Sequence, residues 1–257
     1  PFLKSIEAKE HFKSQDFTEA LSRLEFLKNT RGFGLITGEP GVGKSFLLRY
    51  FVSSLNPNLF KTVYIPIFTL TVMDFYRALC NGLGIIPSHK KINMFKQIQE
   101  SIYTYHHSKN ITPVIIVDEA QFLKNSVLDD LRIIFNFEMD SKDYAILILS
   151  GQTPFITQIS RQPHEALRQR IIVNYYLKGL TKDETKEYVK SRLESSGCYE
   201  PIFTDSAYEL LYSSSNGSIR TLNSLVRMCL ISGANEKLKS IDSEVVFMAQ
   251  NELNIVA

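Results

Sequence analysis

The stretch GEPGVGKS, residues 38–45, has the spacing G-x-x-x-x-G-K-S, the pattern of a phosphate-cradling loop. Gly38, Gly41 and Gly43 let backbone N–H groups turn toward an anion, while Glu39, Pro40 and Val42 complete the loop and Phe46 follows it. In such a loop Lys44 reaches the β- and γ-phosphates of a nucleotide and Ser45 offers its hydroxyl to Mg²⁺, so ATP and Mg²⁺ are the expected ligands. The chemistry requires a buried strand before the loop and a helix after it. FGLIT (33–37) reads as that strand, and KSFLLRYFVSSL (44–55) reads as a helix whose N-terminal dipole faces the anion.

Phosphoryl transfer also needs a second Mg²⁺ anchor and a group to position the attacking water. VIIVDE runs an apolar strand into Asp118 and Glu119, which places the first carboxylate at the carboxyl edge of a sheet as the metal anchor and the second as the candidate base. The next apolar stretch ends in SGQTP, where Gln152 is the preferred residue to reach the γ-phosphate and the water, with Ser150 and Thr153 as alternatives. HEALRQRI (164–171) carries two arginines before the last strand. A guanidinium donated by a neighbouring subunit stabilises transition-state charge, and Arg170 fits that role best, Arg168 second. Arg220 in GSIRTLN occupies the first turn of a helix, where the dipole disfavours a cation unless an anion lies nearby.

The elements that must position these residues follow from hydrophobic spacing. DFTEALSRLEFLK (16–28) puts Phe17, Ala20, Leu21, Leu24 and Leu27 on one helical face, with Asp16 and Glu19 spaced as a capping box. Strands are expected at 33–37, 62–68, 112–120, 144–152 and 171–177, with helices at 44–55, 72–84, 94–107 and 126–139 between them. Apolar strands alternating with helices imply a parallel sheet covered on both faces, a doubly wound α/β domain over residues 1–180. From Thr181 the strands cease. Helices are expected at 181–197, opened by a Thr181 and Glu184 capping box, at 204–217, at 218–234 and at 241–252, giving a small all-helical domain over 181–257.

A chain of 257 residues with 44% hydrophobic content can bury a sizeable core. No apolar run reaches the length of a membrane span and PFLKSIEAKE lacks the layout of a signal peptide, so a cytoplasmic location without membrane contact is expected. Cys80, Cys198 and Cys229 are far apart and match no disulfide framework or zinc spacing. With 29 Lys and Arg against 27 Asp and Glu the formal charge is +2, so nucleic-acid binding would need a local basic surface.

Taken together, LITGEPGVGKS, VIIVDEAQFL, LRIIFNFEMDS, LILSGQTPF, LRQRI, YYLKGLTKDET and GSIRTLNSL resemble the AAA+ ATPases of the ExeA/GspA type, over nearly the whole chain. That branch is similar to the transposition ATPases TnsC, TniB and MuB. The resemblance implies a P-loop NTPase fold with a five-stranded parallel sheet followed by a helical lid. It also implies Walker A at 38–45, Walker B at Asp118 and Glu119, sensor 1 near Gln152, an arginine finger at Arg170 and sensor 2 at Arg220. The family's GQPEL is GQTPF here. Secretion-type members continue into a membrane segment and a peptidoglycan-binding domain, whereas this sequence stops at Ala257, so the expected arrangement is the stand-alone one. In the transposition proteins that arrangement implies self-association into a ring or helical filament on duplex DNA and recruitment of a transposase. The corresponding DNA-facing residues are Thr69, Thr71, Arg77, Lys90 and Lys91, which would hold phosphates largely without reading sequence. The other reading is a secretion-associated ATPase that acts on a protein partner without DNA.

Overall fold

The computed structural model describes Phe2, residues 12–67 and residues 71–253. The chain divides into two compact units, one made of residues 20–38 and 44–176, the other of residues 1–19, 39–43 and 177–257. The division therefore falls at Leu177, and the crown of the Gly-rich loop and the amino-terminal residues group with the helical unit rather than with the sheet.

In the larger unit five strands form a single sheet: β1 (Gly32–Gly38), β2 (Phe60–Pro66), β3 (Thr112–Asp118), β4 (Ile146–Gly151) and β5 (Ile171–Leu177), in the order β2-β3-β4-β1-β5. The sheet is parallel, with β3 between β2 and β4 in register from Val63↔Ile115 and Ile115↔Leu147. Every residue of β1, β3 and β4 is buried, as continuous apolar runs in a two-sided sheet should be. The edge strands β2 and β5 alternate between buried and open positions instead.

Helices cover both faces. On one face Phe33, Leu35, Ile115, Val117, Leu147 and Leu149 join a core with α3 (Val72–Leu83), α4 (Lys91–His107) and α5 (Asn125–Ile134). On the other, α1 (Gln15–Thr30) approaches so closely that a Cβ on Gly34 would lie 2.5 Å from Leu27 Cδ2. The helix α2 (Lys44–Ser54) follows the loop and buries Leu47, Leu48 and Phe51. Two short helices, α6 (Thr153–Ile159) and α7 (Glu165–Arg168), lie between β4 and β5, where no helix was expected.

Two local expectations need correction. The expected helix at 126–139 ends at Ile134, because Phe135 leaves helical geometry at ψ 13° and Phe137 is extended at φ −116° and ψ 145°, after which Glu138 and Met139 adopt left-handed φ values of 47° and 57°. The cap of α1 is Ser14, whose Oγ accepts the Phe17 amide at 3.1 Å; Asp16 instead accepts the amides of Lys178 and Gly179 at 2.8 and 3.1 Å.

The smaller unit is built from α8 (Lys182–Glu194), α9 (Asp205–Ser215), α10 (Ile219–Asn235) and α11 (Ser243–Leu253). Thr181 and Glu184 form the reciprocal capping box of α8, and α9 opens at Thr204 and closes at a left-handed Asn216. Their apolar faces meet around Val189, Leu211, Leu222, Val226, Cys229 and Val246, and Phe2 is buried in the same core. Among the described residues no helix is long and apolar enough to cross a membrane.

Candidate nucleotide site

The Gly-rich loop leaves β1 and enters α2 through two left-handed glycines, Gly41 at φ 86° and Gly43 at φ 111°. Gly41 also tolerates no side chain: a Cβ there would lie 2.5 Å from Ser218 Oγ and 2.9 Å from Arg220 Cβ. The start of α10 is tied to this crown by the Arg220 amide, which donates to the Gly41 carbonyl at 3.2 Å, and by Ser218 Oγ, which donates to the Pro40 carbonyl at 3.3 Å. Arg220 thus begins its helix beside the loop, as the sequence suggested, with an exposed side chain. At the loop's far end Lys44 is only 7% exposed, and its Nζ donates to the Gly38 carbonyl at 2.7 Å. That bond closes the loop on itself and draws the ammonium across its stem.

Asp118 sits at the carboxyl end of β3, 3% exposed, and is the centre of the site. Its Oδ1 accepts from Ser150 Oγ at 2.8 Å and from the Glu119 amide at 3.0 Å. Its Oδ2 accepts from Ser45 Oγ at 3.1 Å and from the Tyr64 hydroxyl at 2.9 Å. A buried carboxylate is tolerated when its lone pairs are satisfied in this way. Ser45 and Asp118, the expected metal pair, are therefore brought together, and their donors are all hard oxygens suited to Mg²⁺. Among the described residues no cluster of three or more His, Cys, Asp or Glu side chains offers an all-protein metal cage. One carboxylate and one hydroxyl fit Mg²⁺ because that ion takes few protein ligands and fills its remaining positions with phosphate and water oxygens.

Glu119 leaves the strand in the left-handed region, φ 56° and ψ 41°. Its Oε2 accepts from the side-chain amides of Gln121 at 2.6 Å and Gln152 at 3.1 Å, and Gln121 Oε1 accepts the Gln152 backbone amide at 3.0 Å. The expected base and the expected polar strand-tip residue are thus in direct contact. Of the two alternatives to Gln152, Ser150 is committed to Asp118, and Thr153 is the first residue of α6.

Arg170 lies elsewhere. Its guanidinium donates to the carbonyls of Arg132 at 2.7 Å and Phe135 at 2.8 Å, reaches Asp143 at 3.3 Å and stacks 4.5 Å over the Phe33 ring. A side chain 11% exposed and so engaged braces its own unit, a geometry that differs from the expected reach to a neighbour. Arg168 is likewise committed, donating to the carbonyls of Ile159 and Arg161, both at 2.9 Å.

The expected phosphate contacts of the α3–α4 region are also engaged at home. Thr71 caps α3 in a reciprocal box with Asp74, which in turn binds Arg77 at 3.1 Å, and Lys91 pairs with Asp130 at 2.6 Å. Lys90 is the exposed residue preceding α4, and Thr69 lies outside the described residues.

Two site residues escaped the sequence reading, Tyr64 and Gln121. Partial burial of its hydroxyl and the adjacent Asp118 carboxylate push the Tyr64 phenol up to about 12, so it stays a donor. Tyr64 sits on an edge strand 54 residues before Asp118, a pairing that only the β2–β3 register makes. Gln121 stands in the conspicuous run DEAQ, and its polar side chain two residues past the base was the available signal.

The chain is 34% identical over 236 residues to general secretion pathway protein A of Aeromonas hydrophila, covering 90% of this chain and 42% of that one. It thus spans less than half the length of that relative. It is 26% identical over 279 residues to a potential ATP-binding protein of Staphylococcus aureus, covering 97% and 96% of the two chains. The fold is similar to that of Cdc6p from Pyrobaculum aerophilum, with a TM-score of 0.75 at 14% identity over 100% of this chain and 71% of that one. The family model described as "AAA domain" matches residues 27–159, and with the P-loop, the Asp118 centre and the five-stranded parallel sheet in place the chain belongs to that family.

Proposed function

We propose that the protein is an Mg²⁺-dependent ATPase of the GspA-like branch, acting on a protein partner. The observation that carries the enzymatic reading is the four-point anchoring of Asp118, which joins the loop serine, the Tyr64 hydroxyl, the strand-tip serine and the base's own amide on one carboxylate. Loop amides and Lys44 would bind the phosphates, and Ser45 with Asp118 would hold Mg²⁺, which supplies charge neutralisation when bound. The water oxygen then bonds to the terminal phosphorus as the bond to the β-phosphate oxygen breaks, and the water's proton passes to Glu119. Gln152 steadies that carboxylate from the neighbouring strand tip.

The protein-partner reading is supported by the 34% identity to general secretion pathway protein A across 90% of the chain. Because the chain spans 42% of that relative, the place where its sequence stops carries no weight against a secretion role. Regulation of transposition on duplex DNA has less support, since Thr71, Arg77 and Lys91 are held by carboxylates of their own unit. Nucleotide-dependent self-association belongs to either reading.

The test is steady-state ATP hydrolysis with Mg²⁺ for the wild type and two variants. Lys44→Ala is expected to lose nucleotide binding, whereas Glu119→Gln keeps binding and loses turnover by about a hundredfold or more. Equal turnover in wild type and Glu119→Gln would remove the assignment of the base.

A further inference from the structure

The backbone turn after Glu119 is already satisfied without help from side chains: Phe122 N donates to the Glu119 carbonyl and Leu123 N to the Ala120 carbonyl, both at 3.0 Å. The Gln121 side chain is therefore free of any structural duty in that turn, yet both ends of its amide are spent. Its Nε2 donates to Glu119 Oε2 at 2.6 Å, and its Oε1 accepts the Gln152 backbone amide at 3.0 Å. A hydrogen bond to an ionised acceptor at that length is of the strong, charge-assisted kind. Gly151 leaves room for the bridge, because a Cβ there would come 3.2 Å from Gln121 Oε1.

A second observation is the backbone of Glu119. A non-glycine residue at φ 56° persists where its surroundings over-determine it, and such residues gather at functional sites. Two amide donors converge on one oxygen, Oε2, and among the described residues no donor is recorded on Oε1. A base fixed through one oxygen keeps the other for a water.

We propose that Gln121 is a positioning residue for hydrolysis, locking the Glu119 carboxylate to the tip of β4 so that Oε1 faces the attacking water. The inference rests on the reading of Glu119 as the base and names the side chain that orients it. Gln121 acts through Glu119 and touches no phosphate.

The experiment measures kcat and KM for ATP in wild type, Gln121→Met and Gln121→Glu, with Glu119→Gln alongside. Methionine keeps the length and apolar stem without either hydrogen bond; glutamate keeps the acceptor for the Gln152 amide and loses the donor to Glu119. Both variants are expected to lower kcat about ten- to a hundredfold with KM and nucleotide affinity unchanged. Adding Gln121→Met to Glu119→Gln is expected to cost nothing further, because the carboxylate it orients is gone. An unchanged or raised kcat in Gln121→Glu overturns the inference, as does a matching loss of nucleotide affinity or a full extra loss in the double variant. Wild-type turnover that collapses in Glu119→Gln identifies such a failure as belonging to Gln121 alone. Turnover that survives Glu119→Gln overturns the base and the inference together.

Discussion

Asp118 accepts four hydrogen bonds, and each donor comes from a different part of the chain: the loop, β2, the strand tip of β4 and the following residue. Side chains that orient a metal-holding carboxylate are worth about ten- to a hundredfold in metal affinity. Tyr64→Phe is therefore expected to raise the Mg²⁺ concentration for half-maximal turnover about tenfold, while nucleotide binding measured in chelator stays unchanged. Because the phenol is pushed up to about 12, its hydrogen bond is present at all lower working pH values and is lost only as pH rises through that range. The ratio of wild type to Tyr64→Phe should accordingly be flat from pH 6 to pH 9, and a ratio that changes across that window would contradict it. Lys44, Ser45, Asp118 and Glu119 were legible because their spacing is written locally in one loop and one strand end. Tyr64 was not, since its partner lies across the sheet. The engagement of Arg170 is hidden for the converse reason: an arginine before a strand looks available until the carbonyls that receive it are seen.

At the scale of elements, that arginine ties the end of α5 to the loop leading into β4. Its two carbonyl partners, Arg132 and Phe135, flank the point where α5 stops, and Phe135 stacks edge-on against the same Phe33 ring that the guanidinium covers. Removing a nearly buried guanidinium leaves those carbonyls unpaired, which costs about 2–4 kcal/mol. Arg170→Ala is expected to lower the melting temperature by roughly 5–10 °C, and mixing it with hydrolysis-dead Lys44→Ala subunits should restore no turnover. Rescue by mixing, with an unchanged melting temperature, would return Arg170 to the role of a finger in trans. The same region shows where periodicity misleads. Phe135 and Phe137 prolong the apolar spacing of α5, so a helix to 139 looked natural, but left-handed Glu138 and Met139 turn the chain away. Buried strands are easier: β1, β3 and β4 stand out as apolar runs of strand length between turn residues. The seven residues of α6 are too few to display a helical period, and it was passed over.

For the whole molecule the deciding quantity is charge. A formal +2 on 257 residues produces no strong field to draw a polyanion, and Arg77 and Lys91 are locally neutralised by Asp74 and Asp130. Exposed ion pairs of this kind are weak, so they could be exchanged for DNA phosphates, but each exchange forfeits a carboxylate contact and leaves that acid facing the polyanion. Non-specific binding by basic proteins falls in the range of roughly 10⁻⁴–10⁻⁶ M at physiological salt, and this surface belongs at or beyond its weak end. With Mg²⁺ and a non-hydrolysable ATP analogue, the protein at about 1 μM is therefore expected to leave the anisotropy of a labelled 30-base-pair duplex unchanged at about 150 mM salt. In the same mixture, sedimentation should detect nucleotide-dependent self-association that Lys44→Ala abolishes. If the analogue instead produces duplex binding whose logarithm falls steeply with the logarithm of salt concentration, several phosphates are being neutralised by residues that assembly brings into line. Reversing Lys90 and Lys91 to glutamate would then flatten that slope, and the protein-partner reading would yield to an ATPase that assembles on DNA.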